Sequence, residues 1–103
     1  MNIPHKILEE IKFYARSFSN EESCGVIVFD EEFKFIACEN LSQNKDQHFS
    51  IDPFVLIENN VTAVYHSHVN SCCSPSCLDK KIRNNLQIPF LIYSLRDDNF
   101  CLY

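Results

Sequence analysis

Apolar positions recur along the chain with two periods. Ile7, Leu8, Ile11, Tyr14, Ala15 and Phe18 fall at helical spacing, Pro4 stands near the start where a missing N–H costs little, and Ser19-Asn20 end the segment. This predicts an opening helix that covers one face of a sheet. Gly25 to Phe29 is a continuous apolar run and reads as a buried strand. Asp30-Glu31-Glu32 is a polar turn, and Phe33 to Cys38 is expected to return antiparallel. Asn40 to Gln47 is polar apart from Leu41 and reads as a loop. His48 to Ile51 is expected to form a short strand with Phe49 and Ile51 facing inward, and Asp52-Pro53 to start a helical turn through Ile57. Val61 to His68 predicts a central strand, Val69 to Pro75 a loop and Ser76 to Gln87 a helix. Pro89 to Leu95 predicts another strand, Arg96 to Asn99 a turn, and Phe100 to Tyr103 the close of a hairpin. The order α-β-β-β-α-β-α-β-β is that of an α+β domain with a mixed β-sheet flanked by helices.

Composition sharpens this picture in three ways. With 103 residues, 46% of them apolar and 22% charged, the chain reads as one globular domain over 1–103, with no repeat, linker or low-complexity tract. A net charge of -5 disfavours nucleic acid and anionic membrane surfaces as partners. No apolar run approaches the roughly 18 residues of a spanning helix. The residues from Met1 to Lys6 carry no signal-peptide core, so the chain is expected to be cytoplasmic when made. For its six cysteines (Cys24, Cys38, Cys72, Cys73, Cys77 and Cys101) that context favours free thiols or metal ligation over disulfides. Gly25 is the single glycine, which marks it as a place where a side chain does not fit.

The chemistry concentrates at the end of the central strand. His66 and His68 are two residues apart, so strand alternation puts both imidazoles on one face and Ser67 on the other. Two neutral imidazoles so placed can chelate one ion. Asp79 follows in the first turn of the next predicted helix, where its carboxylate could swing back as a third ligand. Two His and one carboxylate leave zinc a fourth position for water, whose pKa the ion lowers to near neutrality. A hydrolase then needs a base that takes this proton and returns it to the leaving amine. Glu22, just before the Gly25 strand, is the candidate, and Ser76 is placed to donate to a developing oxyanion.

Glu22-Ser23-Cys24-Gly25, then His66-Ser67-His68, seven residues, Ser76, two residues and Asp79 together resemble the motif of JAMM (MPN+, JAB-type) zinc metallopeptidases, E-x-x-G followed by H-S-H-x7-S-x2-D. The resemblance extends over roughly residues 5–103. It takes in the loop from Asn40 to Ile51, the Pro75-Ser76 step and the strand at Ile88 to Ile92. It departs from the family at Val69, where a proline often follows the second His, and in the Cys72-Cys73 pair. The resemblance implies a cytidine-deaminase-like JAMM architecture and a zinc-dependent peptidase or isopeptidase. His66, His68 and Asp79 would be its metal ligands, Glu22 its acid/base and Ser76 its oxyanion donor. It also implies a polypeptide substrate: a ubiquitin-like protein, a phage tail protein or a cell-wall peptide. The ending at Ile88 to Tyr103 is most similar to the N-terminal half of phage tail-assembly proteins, which implies a place in the host cytoplasm or the virion tail.

Blander readings compete at each position. Ser76-x-x-Asp79 also fits a capping box, with Ser74 as a rival cap. Glu22 could be a solvated turn residue like Glu21, and Gly25 a mere close-packing position. Cys72, Cys73 and Cys77 with an imidazole could make a structural zinc site, and Cys24 or Cys73 beside an imidazole a thiol nucleophile. A non-catalytic zinc-binding module of a phage tail is the alternative to an enzyme.

Overall fold

The computed structural model describes residues 2–103. Its elements run α1 (His5–Ser17), β1 (Cys24–Asp30), β2 (Glu32–Cys38), α2 (Pro53–Glu58), β3 (Val61–His68), α3 (Cys77–Leu86), β4 (Phe90–Ser94) and β5 (Asn99–Leu102). The strands form one sheet in the order β2-β1-β3-β4-β5. β1 is antiparallel to both β2 and β3, β3 and β4 are parallel, and β5 closes antiparallel on β4, so the sheet is mixed. The parallel pair needs a crossover, and α3 supplies it.

Strand alternation sorts the core onto two faces. Ile27, Ala63, Tyr65, Leu91 and Tyr93 face α1 and meet its apolar stripe of Ile7, Ile11 and Ala15. Val64, Phe90 and Ile92 point the other way, toward Ile82 and Leu86 of α3 and toward Phe49, Ile51 and Leu56. Gly25 packs on the α1 face with no room to spare. A Cβ there would lie 2.5 Å from the Ile36 carbonyl oxygen and 2.7 Å from the Phe35 ring. Its φ is not positive, so what it supplies is space.

Two expectations need correction. The segment His48 to Ile51 is not a strand. Both sides of β3 are already taken, by β1 and β4, and the backbone of residues 48–51 is bound instead by the Asn40 side chain and by main-chain groups of Leu41 and Asn44. Asn40 Nδ2 donates to the His48 carbonyl at 2.9 Å, and Asn40 Oδ1 accepts from Ser50 N at 3.1 Å. Phe49 and Ile51 nonetheless pack inward as expected. The observed order is therefore α-β-β-α-β-α-β-β. The second correction concerns the thiols. Cys73 and Cys101 form a disulfide, while Cys24, Cys38, Cys72 and Cys77 are free. The β4–β5 hairpin carries Cys101 back across Ile92, a neighbour of Cys73 in the same apolar cluster. Among the described residues no helix is long and apolar enough to cross a membrane.

Candidate metal centre

The site begins with the register between β1 and β3. Cys24 pairs with His66 and Gly25 with Tyr65. One step further, Ser67 N donates to the Ser23 carbonyl at 2.9 Å, so the same register sets Glu22 opposite His68. Directly opposed residues of an antiparallel pair share a face. On the reverse face Ser67 Oγ accepts from Ser23 N at 2.8 Å, and Ser23 Oγ bonds the Tyr65 hydroxyl. These buried bonds pin the start of β1 to β3. From the other side, Asn40 Nδ2 donates to the Glu22 carbonyl at 2.9 Å. Asn40 thus ties the Glu22 backbone to the loop, a role the sequence pattern does not reveal because its partners are main-chain atoms far along the chain.

His66, His68 and Asp79 converge, with one ligand atom from each lying within 4.8 Å of the others. All three are buried. His68 Nδ1 is 2.7 Å from the Cys72 carbonyl, which can only accept, so Nδ1 carries a hydrogen. Its Nε2 then faces Asp79 Oδ2 at 3.0 Å. Burial works against a charged ring here, but the Asp79 carboxylate and the Cys72 carbonyl outweigh it and raise the His68 pKa. With Nδ1 committed to the Cys72 carbonyl, Nε2 is the ring nitrogen turned toward Asp79, where a cation would bind.

His66 differs. Its ring is completely buried, and burial lowers its pKa despite Asp79. Nε2 lies 3.1 Å from Asp79 Oδ1 but outside hydrogen-bonding geometry, so neither ring nitrogen has a hydrogen-bond partner. Phe49 stacks on the ring with centroids 4.2 Å apart, and Phe90 meets it edge-on at 5.4 Å. A buried imidazole with both nitrogens orphaned is costly, on the order of 1–3 kcal/mol per unsatisfied group. A lone pair given to a cation removes that cost at one of the two nitrogens. The donor set of two imidazole nitrogens and one carboxylate oxygen could hold a metal ion with a coordination position left over.

Asp79 reaches the imidazoles from the first turn of α3. Burial would raise its pKa, but the two imidazoles and the Ser76 N–H hold it well below the usual carboxylate range. Ser76 is the N-cap. Its Oγ accepts from Asp79 N at 3.0 Å, and Asp79 Oδ2 accepts from Ser76 N at 2.9 Å, a reciprocal capping box. Ser76, not Ser74, is therefore the cap, and its hydroxyl hydrogen takes no part in it.

Glu22 is buried, and its carboxyl is pushed up to about 8. Burial is the main cause, the charges of Asp79 and Asp46 add to it, and His68 opposes. Such a group sits in the range suited to taking and returning protons near neutral pH. It lines an open, polar cleft of about 570 Å3 together with Asp46, Asn70 and Ser71. The thiol readings find no footing. Burial pushes Cys24 up to about 12, so no thiolate forms there at neutral pH, and Cys73 is spent in the disulfide.

No family model matches the chain. The tail tip assembly protein K of Escherichia phage N15 is 30% identical over 94 residues, covering 86% of this chain and 39% of that protein. The chain thus spans about two fifths of that relative's length. The solution structure of protein DSY2949 from Desulfitobacterium hafniense superposes with a TM-score of 0.74 at 24% identity, over 95% of this chain and 77% of that one. That likeness speaks for the fold alone: a small α+β domain with a five-stranded mixed sheet.

Proposed function

We propose that this chain is a zinc metallopeptidase domain of the JAMM type, cleaving an amide bond in a polypeptide, and that it works in phage tail assembly. The observation that carries the reading is the His66–His68–Asp79 cluster with its orphaned His66 ring, set at the same end of the β1–β3 pair as Glu22. The tail role is supported by the likeness to a tail tip assembly protein. Two imidazoles and a carboxylate suit zinc, a borderline-soft ion that takes nitrogen and oxygen ligands.

A bound zinc ion supplies a Lewis acid that polarises a carbonyl and brings the pKa of water to near neutrality. The chain's own residues would do the rest. Cys72 O, by accepting from His68 Nδ1–H, would hold the ring so that Nε2 presents its lone pair. Ser76 N–H and the two imidazoles keep Asp79 ionised. Glu22, as carboxylate, accepts a proton from the attacking water and hands it to the departing amine. The Ser76 hydroxyl hydrogen, free of the cap, donates to the substrate oxygen as negative charge builds there. The substrate would be a ubiquitin-like protein, a phage structural protein or a cell-wall peptide.

The test is metal analysis of the purified protein, followed by a panel of peptide, isopeptide and peptidoglycan substrates with and without chelator. Glu22→Gln is expected to keep its zinc and lose hydrolysis, and His68→Ala to lose both. Full activity in Glu22→Gln would end the assignment of the base. A zinc-loaded protein that cuts nothing in the panel is the non-catalytic tail module instead.

A further inference from the structure

Cys73 lies in the loop between His68 and α3, and Cys101 in the edge strand β5, 28 residues further on. Their disulfide joins Cα atoms 5.4 Å apart. Cys73 is buried in the apolar cluster of Val64, Phe90 and Ile92, the layer directly below His66. The residue just before the bridge, Cys72, provides the carbonyl that accepts from His68 Nδ1. That bond decides which ring nitrogen faces Asp79. Elsewhere the loop is held by single hydrogen bonds, such as Ser94 Oγ to the Ser71 carbonyl at 2.7 Å and an exposed contact from Arg96 to the Asn70 carbonyl. The covalent tie therefore sits next to the loop carbonyl that orients His68.

We propose that the Cys73–Cys101 bridge is a redox latch on the metal centre, an inference that rests on His66, His68 and Asp79 being metal ligands. To close it, the two thiols exchange with a low-molecular-weight disulfide such as oxidised glutathione. Cys73 and Cys101 give up two protons and two electrons, their S–S bond forms, and the oxidant's S–S bond breaks to leave two reduced thiols. With the bridge closed, Cys73 is fixed to β5 and the Cys72 carbonyl stays in reach of His68. Excess thiol runs the exchange backwards. The loop is then held by hydrogen bonds alone, the His68 ring gains freedom, and affinity for a divalent metal falls. Outer-sphere partners of ligating histidines commonly govern affinity 10- to 100-fold. A thiol-rich cytosol favours the open form and an oxidising exterior the closed one.

The experiment uses the full chain. Protein oxidised with glutathione disulfide, then denatured and alkylated, should show four reactive thiols, and protein reduced and desalted should show six. Each form is titrated anaerobically with Co2+, read by its visible absorption, beside the double variant Cys73→Ser/Cys101→Ser. The reduced protein and the double variant are expected to bind Co2+ about 10- to 100-fold more weakly than the oxidised protein, with no cobalt–sulfur charge-transfer band. If the variant does not fold, the oxidised and reduced wild-type proteins carry the comparison. Equal affinities in both forms overturn the latch while leaving the ligands intact. So do six reactive thiols after oxidation, or tighter binding with a cobalt–sulfur band after reduction. If no form takes up Co2+, the ligand assignment itself fails, and the latch with it.

Discussion

Glu22 and His68 face each other across the end of the β1–β3 ladder, and the pKa of each is raised, that of Glu22 by burial and that of His68 by the Asp79 carboxylate and the Cys72 carbonyl against burial. For Glu22 this sets a pH dependence. The folded carboxyl titrates at about 8 against an ordinary 4.5, so between these values the native state holds a proton that the unfolded chain has lost. Stability of the metal-free protein should therefore fall as pH rises through that window, by at most about 1.4 kcal/mol per pH unit, and level off above it. Urea denaturation from pH 4.5 to 9 reads this directly. Glu22→Gln should be flatter across the window, and an identical slope in both proteins would remove the buried carboxyl from the account. At this scale the sequence was informative because two spacings record one register. Glu22-x-x-Gly25 and His66-x-His68 place Gly25 opposite Tyr65 while Glu22 meets His68. Asn40 left no such trace, since an isolated Asn in a polar stretch carries no period.

At the scale of elements, the helix that delivers Asp79 starts on a residue with two separable duties. Ser76 Oγ accepts the Asp79 N–H as a cap, and its hydrogen remains free to donate. Ser76→Ala should lower stability by roughly 0.5–2 kcal/mol and leave metal content unchanged, because the Asp79 carboxylate is held by the Ser76 main-chain N–H. On the peptidase reading the same change lowers turnover by about 100- to 1,000-fold. Ser76→Asp keeps an acceptor for the cap but has no hydrogen to give, so thermal melts should recover while turnover does not. Turnover that recovers together with stability would mean that Ser76 acts only through the helix. The Ser-x-x-Asp signature showed the cap, but two serines flanking Pro75 left its position open until α3 was seen to begin at Cys77. His48 to Ile51 was misread for a different reason. Its alternation of apolar residues is real, but alternation says nothing about whether a sheet edge is vacant. The Cys73–Cys101 bridge was equally hidden, since only the β4–β5 hairpin brings together residues so far apart.

Across the whole molecule, the two faces of the sheet are fastened differently. α1 sits on its face through Ile7, Ile11 and Ala15, a buried apolar stripe. Of the α3 side chains, the buried one is Asp79, while Ile82 and Leu86 are only partly covered. The crossover helix is therefore anchored to β3 through a carboxylate between two imidazoles, and its hold depends on what those groups bind. A divalent ion joining the three would act as a rivet between β3 and α3, and its binding free energy would add to folding. At Zn2+ about 1,000-fold above its dissociation constant the gain is about 4 kcal/mol. For a domain of this size that corresponds to a rise in Tm of roughly 15–30 °C, reversed by chelator. Hydrogen exchange locates the effect. Amides of α3 should slow by up to about 1,000-fold on Zn2+ addition under conditions where local opening governs α3. Those of α1, held by its buried apolar stripe, should slow only as far as global stability rises. Uniform slowing of both helices would mean that α3 never opens independently and that its apolar contacts suffice. No slowing in either would remove the metal from the fold altogether.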